Sequence, residues 1–132
     1  MIVRRADEAG YVAELVLDRP AALNAVSAAQ AAAIASAAAQ LSADRSVRAV
    51  VVSSSAETAF CVGADLKAWS RDYLGKPDEY WKWFGAFKDA HDKLREIGKP
   101  TLARINGLCV GGGNELQMAC DLSVIVGDTY IR

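Results

Sequence analysis

The sequence has few of the residues from which metal sites and disulfide frameworks are built. It contains one histidine, His91, and three cysteines, Cys61, Cys109 and Cys120, none of which forms a C-x-x-C pair. An odd number of unpaired cysteines argues against a disulfide framework and indicates reduced, mostly buried thiols. A zinc site would need carboxylates for most of its ligands, so no metal is expected.

Basic charge and long apolar runs are also scarce. The net charge is −1, and no segment approaches the run of about 18 uncharged apolar residues that spans a membrane. No basic stripe suggests a nucleic-acid groove, and the first residues lack the apolar stretch of a signal peptide. We therefore expect a cytoplasmic protein that binds neither nucleic acid nor membrane. With 132 residues, 52% of them hydrophobic, the chain can form the core of one domain.

The sequence does contain an alternation of strand and helix patterns. Strands are predicted over residues 11–20, 47–55 and 100–105, in the short stretch "LCV", and in "DLSVIVGD". Helices are predicted over residues 27–43, 77–97 and 112–120, with a further helical turn near Asp65. Ser27 and Gln30 have the spacing of a capping box at the start of the first helix. The alternation predicts an α/β fold, and the nearly continuous apolar run at 47–55 predicts a parallel strand that is covered on both faces.

The stretch "CVGGGNELQMACD" places three glycines directly before Glu115, at the predicted start of a helix. Glycine is a poor helix former, so another reason for the cluster is needed. Such a cluster exposes backbone N–H groups that can hold an anion or a developing oxyanion. The nearby carboxylate disfavours a phosphate and suits proton transfer. The plain alternative is that the glycines only permit close packing and Glu115 favours the helix dipole.

A second stretch, "FCVGADLKAW", repeats this arrangement. A glycine and Asp65 again precede a predicted helix. One N–H donor from each of the two loops would make a two-point oxyanion hole. Neither stretch has the G-x-x-x-x-G-K-[ST] or G-x-G-x-x-G spacing of a nucleotide loop, which leaves a phosphate-binding loop as the weakest alternative.

Three segments in order resemble the crotonase superfamily, the enoyl-CoA hydratase/isomerase family. They are "LVLDRPAALNAVS", "AFCVGADLKAW" and "KPTLARINGLCVGGGNELQMACDLSV". The resemblance implies a fold of strand–strand–helix repeats with a spiral core, assembled as a homotrimer or hexamer. It also implies acyl-CoA thioester substrates, with coenzyme A entering as part of the substrate and no separate cofactor.

The same resemblance assigns roles to particular residues. The backbone N–H groups of Ala64 and Gly112 take the places of the oxyanion-hole donors, and Glu115 takes that of the catalytic glutamate. Lys67 becomes a candidate for the phosphates of coenzyme A. The residues implied to lie along coenzyme A are Cys61, Gly63, Ala64, Asp65, Leu66 and Lys67.

The sequence also departs from the family pattern. Ala21 stands where family hydratases often carry a basic residue that helps to hold coenzyme A. A second catalytic glutamate would lie beyond Arg132, as would the helical C-terminal part of the family domain. We therefore interpret residues 1–132 as the N-terminal part of a single crotonase-like domain.

Several reactions of the family are compatible with this N-terminal part of the domain. Addition of water to a 2-enoyl-CoA is the expected reaction, and an isomerase, CoA hydrolase, dehalogenase or decarboxylase of the same family is the alternative. A non-catalytic module that binds acyl-CoA or acts as a scaffold subunit is a further alternative.

Other polar and aromatic residues have simpler interpretations. Asp65 is expected to cap the following helix, and Asp121 to be structural. His91 lies on a predicted apolar helix face, which favours a packed, hydrogen-bonded histidine over a catalytic one. The other residues of this face are Tyr80, Phe84, Phe87 and Leu94. Three tryptophans are candidates for an acyl pocket or for core packing: Trp69, Trp81 and Trp83.

Overall fold

Two sheets and four helices make up the computed structural model, which describes the whole of residues 1–132. The strands are β1 (Ile2–Arg5), β2 (Val12–Leu17), β3 (Ala49–Ser54), β4 (Ala59–Cys61), β5 (Thr101–Ile105), β6 (Leu108–Cys109) and β7 (Leu122–Ile125). The helices are α1 (Ala28–Ala43), α2 (Leu66–Asp72), α3 (Pro77–Arg95) and α4 (Gly112–Met118), with a short 3₁₀ helix at Pro20–Ala22. None of the helices has both the length and the apolar composition needed to cross a bilayer.

The larger sheet has the strand order β1-β2-β3-β5-β7. The edge strand β1 runs antiparallel to β2, and the other neighbours are parallel. The smaller sheet pairs β4 with β6, also in parallel. Along the chain, two strands followed by helix recur three times before β7. The predicted α/β fold of strand–strand–helix repeats is therefore confirmed.

The predicted helices are observed, with small differences at their ends. Helix α1 begins after Ser27, whose hydroxyl accepts a hydrogen bond from the Gln30 N–H at 3.3 Å, as the capping-box spacing predicts. Helix α3 ends two residues before the predicted residue 97. Helix α4 ends at Met118 rather than at residue 120, because the N–H of Ala119 is shared among the carbonyls of the last turn.

The strand predictions missed β1 and β4 and overstated the burial of β3. All four residues of β1 are exposed, so its sequence "IVRR" carries no alternation of apolar and polar residues. Strand β4 has three residues and lies inside a segment that reads as a loop of small residues. In β3, Val50 and Val52 are buried but Val51 is half-buried, so only one face is fully covered.

The core lies where α1 and α3 pack on each other and on the larger sheet. Buried alanines on α1, such as Ala31 and Ala38, leave room for a close approach of the two helices. Phe84 differs from its predicted place on the apolar face of α3, since it is 42% exposed. The buried face of α3 includes Trp83 and Ala90 instead.

Asn24 connects the turn after β2 to strand β4. Its buried side-chain amide donates to Ser54 Oγ at 2.7 Å and to the Phe60 carbonyl at 3.0 Å. Its Oδ1 accepts the N–H of Arg19 at 2.7 Å. A buried polar side chain with all of these bonds satisfied fixes the position of its neighbours. Asn24 therefore holds the end of β4 against the turn that follows β2.

Asp121 has the structural role that was predicted for it. Its carboxylate accepts hydrogen bonds from the backbone N–H and the hydroxyl of Thr101, both at 2.8 Å. The Asp121 N–H in turn donates to the Thr101 hydroxyl at 2.8 Å. These bonds tie the start of β5 to the turn between α4 and β7.

We expect Asp121→Asn to lower Tm at pH 7, because a neutral amide accepts weaker hydrogen bonds than a carboxylate. The bonds from Thr101 hold the pKa of Asp121 below its ordinary value of 3.8. A lowered folded-state pKa stabilises the fold above the unfolded-state pKa, and this stabilisation is lost as the pH falls through the folded-state value. The difference in Tm between variant and wild type should therefore be constant from pH 7 to pH 5 and shrink below about pH 4. An undiminished difference at pH 3 would contradict this role.

Candidate active site

The loop between β4 and α2 leaves one backbone N–H without a partner. The N–H of Val62 donates to the Leu23 carbonyl at 3.2 Å, and that of Asp65 donates to the Val26 carbonyl at 3.0 Å. The N–H of Gly63 points to the Cys61 sulfur at 3.4 Å. The remaining N–H of this loop, on Ala64, donates to no group of the protein. Ala64 is half-buried and lines a groove of the surface.

The glycine run before α4 has the same property. The N–H of Gly111 donates to the Arg132 carbonyl at 2.9 Å, and that of Gly113 donates to the Val110 carbonyl at 2.9 Å. Gly112 is the first residue of α4, and its N–H has no acceptor. Of the three glycines, only Gly112 therefore offers a free donor to a ligand.

The two loops touch each other at these donors. A Cβ at Gly63 would lie 2.9 Å from the Gly112 nitrogen and 3.0 Å from the Val110 carbonyl oxygen. Gly63 also has φ +86°, a conformation that glycine adopts without strain. A side chain at this position would push the loops apart. The glycine therefore keeps the free N–H groups of Ala64 and Gly112 on adjoining loops.

Glu115 lies one turn into α4, three residues after Gly112. Its side chain is 63% exposed. It lines a cavity of about 290 Å³ together with Phe84, Phe87, His91 and other residues of α3. Phe87 also packs against Gly112, where a Cβ would meet its ring at 2.3 Å. Phe87 therefore contacts both the cavity that Glu115 lines and the residue that carries the free N–H.

A larger groove of about 900 Å³ is lined in part by the loop that carries Ala64. Its walls are formed by the turn after β2, the start of α1 and helix α2. The lining includes four of the residues implied to lie along coenzyme A, which are Ala64, Asp65, Leu66 and Lys67. Ala21 also lines the groove, without adding charge.

Many known proteins are similar to this chain in sequence or in fold. The family model described as Enoyl-CoA hydratase/isomerase matches residues 7–130. The chain belongs to this family. The structures agree, since an enoyl-CoA hydratase from Mycobacterium smegmatis superposes with a TM-score of 0.89 at 36% identity, over 98% of this chain and 49% of that one. An enoyl-CoA hydratase from Bacillus anthracis gives a TM-score of 0.90 at 25% identity, over 98% of this chain and 48% of that one. The α/β fold is thus the crotonase-like fold.

Relatives within the enoyl-CoA hydratase/isomerase family carry different activities in their names. A 6-oxocyclohex-1-ene-1-carbonyl-CoA hydrolase from Geobacter metallireducens is 37% identical over 114 residues, which are 86% of this chain and 30% of that protein. A probable mitochondrial enoyl-CoA hydratase from Dictyostelium discoideum is 37% identical over 125 residues, or 95% of this chain and 43% of that protein. The chain therefore spans less than half the length of these two relatives.

Two of the residues implied to lie along coenzyme A are buried. Cys61 is fully buried, and its sulfur contacts the Asn24 carbonyl at 3.2 Å. Gly63 is buried by the glycine run before α4. Neither residue lines the groove, because both pack against the glycine run before α4. Burial also raises the pKa of the Cys61 thiol to about 11, so the thiol is neutral at physiological pH.

Asp65 caps α2, as the sequence predicts, and also forms an ion pair. Its Oδ1 accepts the N–H of Ala68 at 3.0 Å, and its Oδ2 lies 3.0 Å from Arg19 Nη2. The Ala68 N–H and the Arg19 guanidinium lower the pKa of Asp65. Arg19 also donates to the Ala25 carbonyl at 2.6 Å, so it connects the turn after β2 to the loop between β4 and α2. The sequence interpretation did not assign this role to Arg19.

His91 is packed and hydrogen-bonded, as expected, but it also faces Glu115. Its Nδ1 lies 2.7 Å from the Phe87 carbonyl oxygen. Its Nε2 is 3.9 Å from Glu115 Oε2 and has no hydrogen-bond partner. The helical spacing shows that His91 points inward, but it cannot show that α4 brings a carboxylate to the same place.

The tryptophans do not line the cavity beside Glu115. Trp83 belongs to the core, and Trp69 packs against it while half-buried. Trp81 is 65% exposed on α3. The aromatic side chains that face the cavity are those of Phe84 and Phe87. Of the two interpretations left open for the tryptophans, core packing holds for Trp83.

Proposed function

We propose that this chain carries the oxyanion hole and one acid/base group of an acyl-CoA enzyme that adds water to a 2-enoyl-CoA. The observation that carries the proposal is the pair of unpartnered N–H groups, on Ala64 and Gly112, with Glu115 one turn further along α4. Coenzyme A enters as part of the substrate, and the proposed reaction needs no separate cofactor.

The two N–H groups would act on the thioester carbonyl. When a nucleophile adds to the β-carbon of an enoyl thioester, negative charge moves to the carbonyl oxygen and forms an enolate. Donors that are already in place stabilise this charge without reorganising. Because the Ala64 and Gly112 N–H groups have no partner in the protein, binding the oxygen breaks no internal hydrogen bond.

Glu115 would move the proton. As a carboxylate it removes a proton from the attacking water, and as the resulting acid it can return a proton to the α-carbon of the enolate. Its 63% exposure leaves the carboxyl group open to water and substrate. In the family, a second glutamate shares this work, and its place would lie beyond Arg132.

The large groove would hold the coenzyme A portion. Lys67 is exposed on its wall and is suited to a phosphate, while Ala21 cannot supply a charge. Arg71 also lines the groove but is paired with Asp72 at 2.6 Å. Through the Asp65–Arg19 pair, the loop that carries Ala64 is fixed to the opposite wall.

A CoA hydrolase is the second candidate function. The relative from Geobacter metallireducens, which is 37% identical, is named as a hydrolase of a carbonyl-CoA, and that name does not specify cleavage of the thioester bond. Hydrolysis would use the same oxyanion hole, but water would attack the thioester carbonyl itself. A non-catalytic acyl-CoA-binding module would keep the groove and make no use of Glu115.

A product assay separates these functions. With 2-enoyl-CoA as substrate, hydration removes the ultraviolet absorbance of the conjugated double bond and leaves the thioester intact. Hydrolysis releases free coenzyme A, which a thiol reagent detects. We expect loss of the enoyl absorbance without free thiol. Release of thiol at the same rate would support the hydrolase, and neither signal with measurable binding would support the module.

We also propose the homotrimeric or hexameric assembly and the cytoplasmic location. Apolar residues of β7 and of the segment after it are exposed, and either another subunit or the C-terminal part of the domain would cover them. These residues are Leu122, Val124, Ile125, Val126 and Tyr130. Sedimentation of the purified protein would test the assembly.

A further inference from the structure

The imidazole of His91 is the part of the site that the proposed function does not use. The side chain is buried in α3, and its Nδ1 lies 2.7 Å from the Phe87 carbonyl oxygen. A carbonyl oxygen can only accept a hydrogen bond, so Nδ1 must carry a proton. In a neutral imidazole the other nitrogen, Nε2, is then a bare acceptor.

This Nε2 atom and the Glu115 carboxyl group face each other without other partners. Nε2 is inaccessible to solvent and forms no hydrogen bond. Its distance from Glu115 Oε2 is 3.9 Å, which is too long for a hydrogen bond. The Glu115 side chain is 63% exposed, so rotation about its bonds can bring the carboxyl group to Nε2. A buried polar atom without a partner is unusual in folded proteins and calls for an explanation.

We propose that His91 is a positioning residue for Glu115, and this inference rests on the proposed function. One proton held between Nε2 and Oε2 forms a hydrogen bond that fixes the carboxyl group beside the oxyanion hole. The neutral imidazole can accept from the protonated carboxyl group, or the imidazolium can donate to the carboxylate. With no proton between them, two lone pairs face each other and the carboxyl group is unrestrained.

The charges around His91 favour Glu115 as its partner. Helix α1, which packs against α3, contains no charged residue. On α3, Asp92 is paired with Lys88, and Lys88 and Arg95 are cations that line the same cavity. Helix α4 contributes one charged residue, which is Glu115 itself. Glu115 is therefore the carboxylate that is free to meet Nε2.

A double-mutant cycle with His91→Phe and Glu115→Gln tests the coupling. Phenylalanine keeps an aromatic ring beside Phe87, whose centroid lies 4.6 Å from that of His91. We expect H91F to lower kcat about 10- to 100-fold with KM for acyl-CoA unchanged, since misplacing a catalytic group by about 1 Å can cost 10²-fold. In the E115Q background the same change should have no further effect. The matched control Lys82→Gln removes an exposed charge of the same helix outside this cavity and should leave kcat within about twofold.

Two outcomes of the cycle would overturn the inference. An unchanged kcat in H91F, or an equal loss in the E115Q background, means that His91 does not act through Glu115. Full activity of E115Q would instead overturn the proposed function itself. The two failures are thus distinguishable.

Nitrogen NMR gives a readout that does not depend on activity or on the stability of H91F. The chain contains one histidine, so its imidazole signals need no assignment by mutagenesis. We expect a protonated Nδ1 and an Nε2 resonance that moves when Glu115 is replaced by alanine. Identical imidazole spectra in wild type and Glu115→Ala would contradict the contact.

Discussion

Glu115→Gln is expected to lower turnover of 2-enoyl-CoA by about 10²- to 10⁴-fold, the range that positioned acid/base groups contribute. Glutamine keeps the size of the side chain and removes its ability to take and return a proton. The Ala64 and Gly112 N–H groups are untouched, so the Kd for acyl-CoA should stay near that of wild type. Steady-state kinetics gives the turnover, and calorimetric titration gives the Kd.

The control for this variant is Glu8→Gln, which makes the same chemical change at an exposed turn far from the site in the sequence. It should leave both turnover and binding unchanged. Turnover of Glu115→Gln within a few fold of wild type would mean that Glu115 is not the acid/base group. A large loss of binding would show instead that the carboxylate helps to hold the substrate.

Gly113→Ala is expected to destabilise the fold by about 3 kcal/mol or more, at the upper end of overpacking effects. A Cβ at this position would lie 2.0 Å from the Cys61 carbonyl oxygen and 2.7 Å from its carbonyl carbon. Both atoms belong to the backbone of β4, so the clash cannot be relieved by a side-chain rotation. Either α4 or β4 must move, which separates the loops that carry the oxyanion hole. Urea unfolding monitored by circular dichroism measures the loss.

Gly85→Ala provides the matched control, because it is the same substitution in helix α3. Gly85 is exposed, and a Cβ there would meet nothing within 4 Å. Alanine is favoured over glycine within a helix, so this variant should gain up to about 1 kcal/mol. If Gly113→Ala were as stable as wild type, the close contact between α4 and β4 would be refuted.

The elements with a strong local pattern could be predicted from the sequence. Helix α1 has a capping residue and a run of alanines, and its observed start follows Ser27 as expected. Strands β1 and β4 could not be predicted, because one is fully exposed and the other has three residues. Strand β1 forms by pairing with the next strand, β2, and β4 forms by pairing with the distant strand β6. Local propensity predicts neither pairing.

The candidate site, too, could be predicted only where the sequence pattern is local. The glycine run and the carboxylate after it indicate oxyanion chemistry, but the sequence cannot show which of the three glycine N–H groups is free. That depends on the Arg132 and Val110 carbonyls, which occupy the other two. The burial of Cys61 and the meeting of His91 with Glu115 depend in the same way on how α3, α4 and β4 pack.

The central claim is that the Ala64 and Gly112 N–H groups form an oxyanion hole for a thioester. An ultraviolet titration with acetoacetyl-CoA tests it most directly, because the enolate of this ligand absorbs differently from its keto form. We predict a saturable enolate band that is present in wild type and in Glu8→Gln. Saturable binding without an enolate band would contradict the claim, since the groove would then hold coenzyme A without polarising the carbonyl.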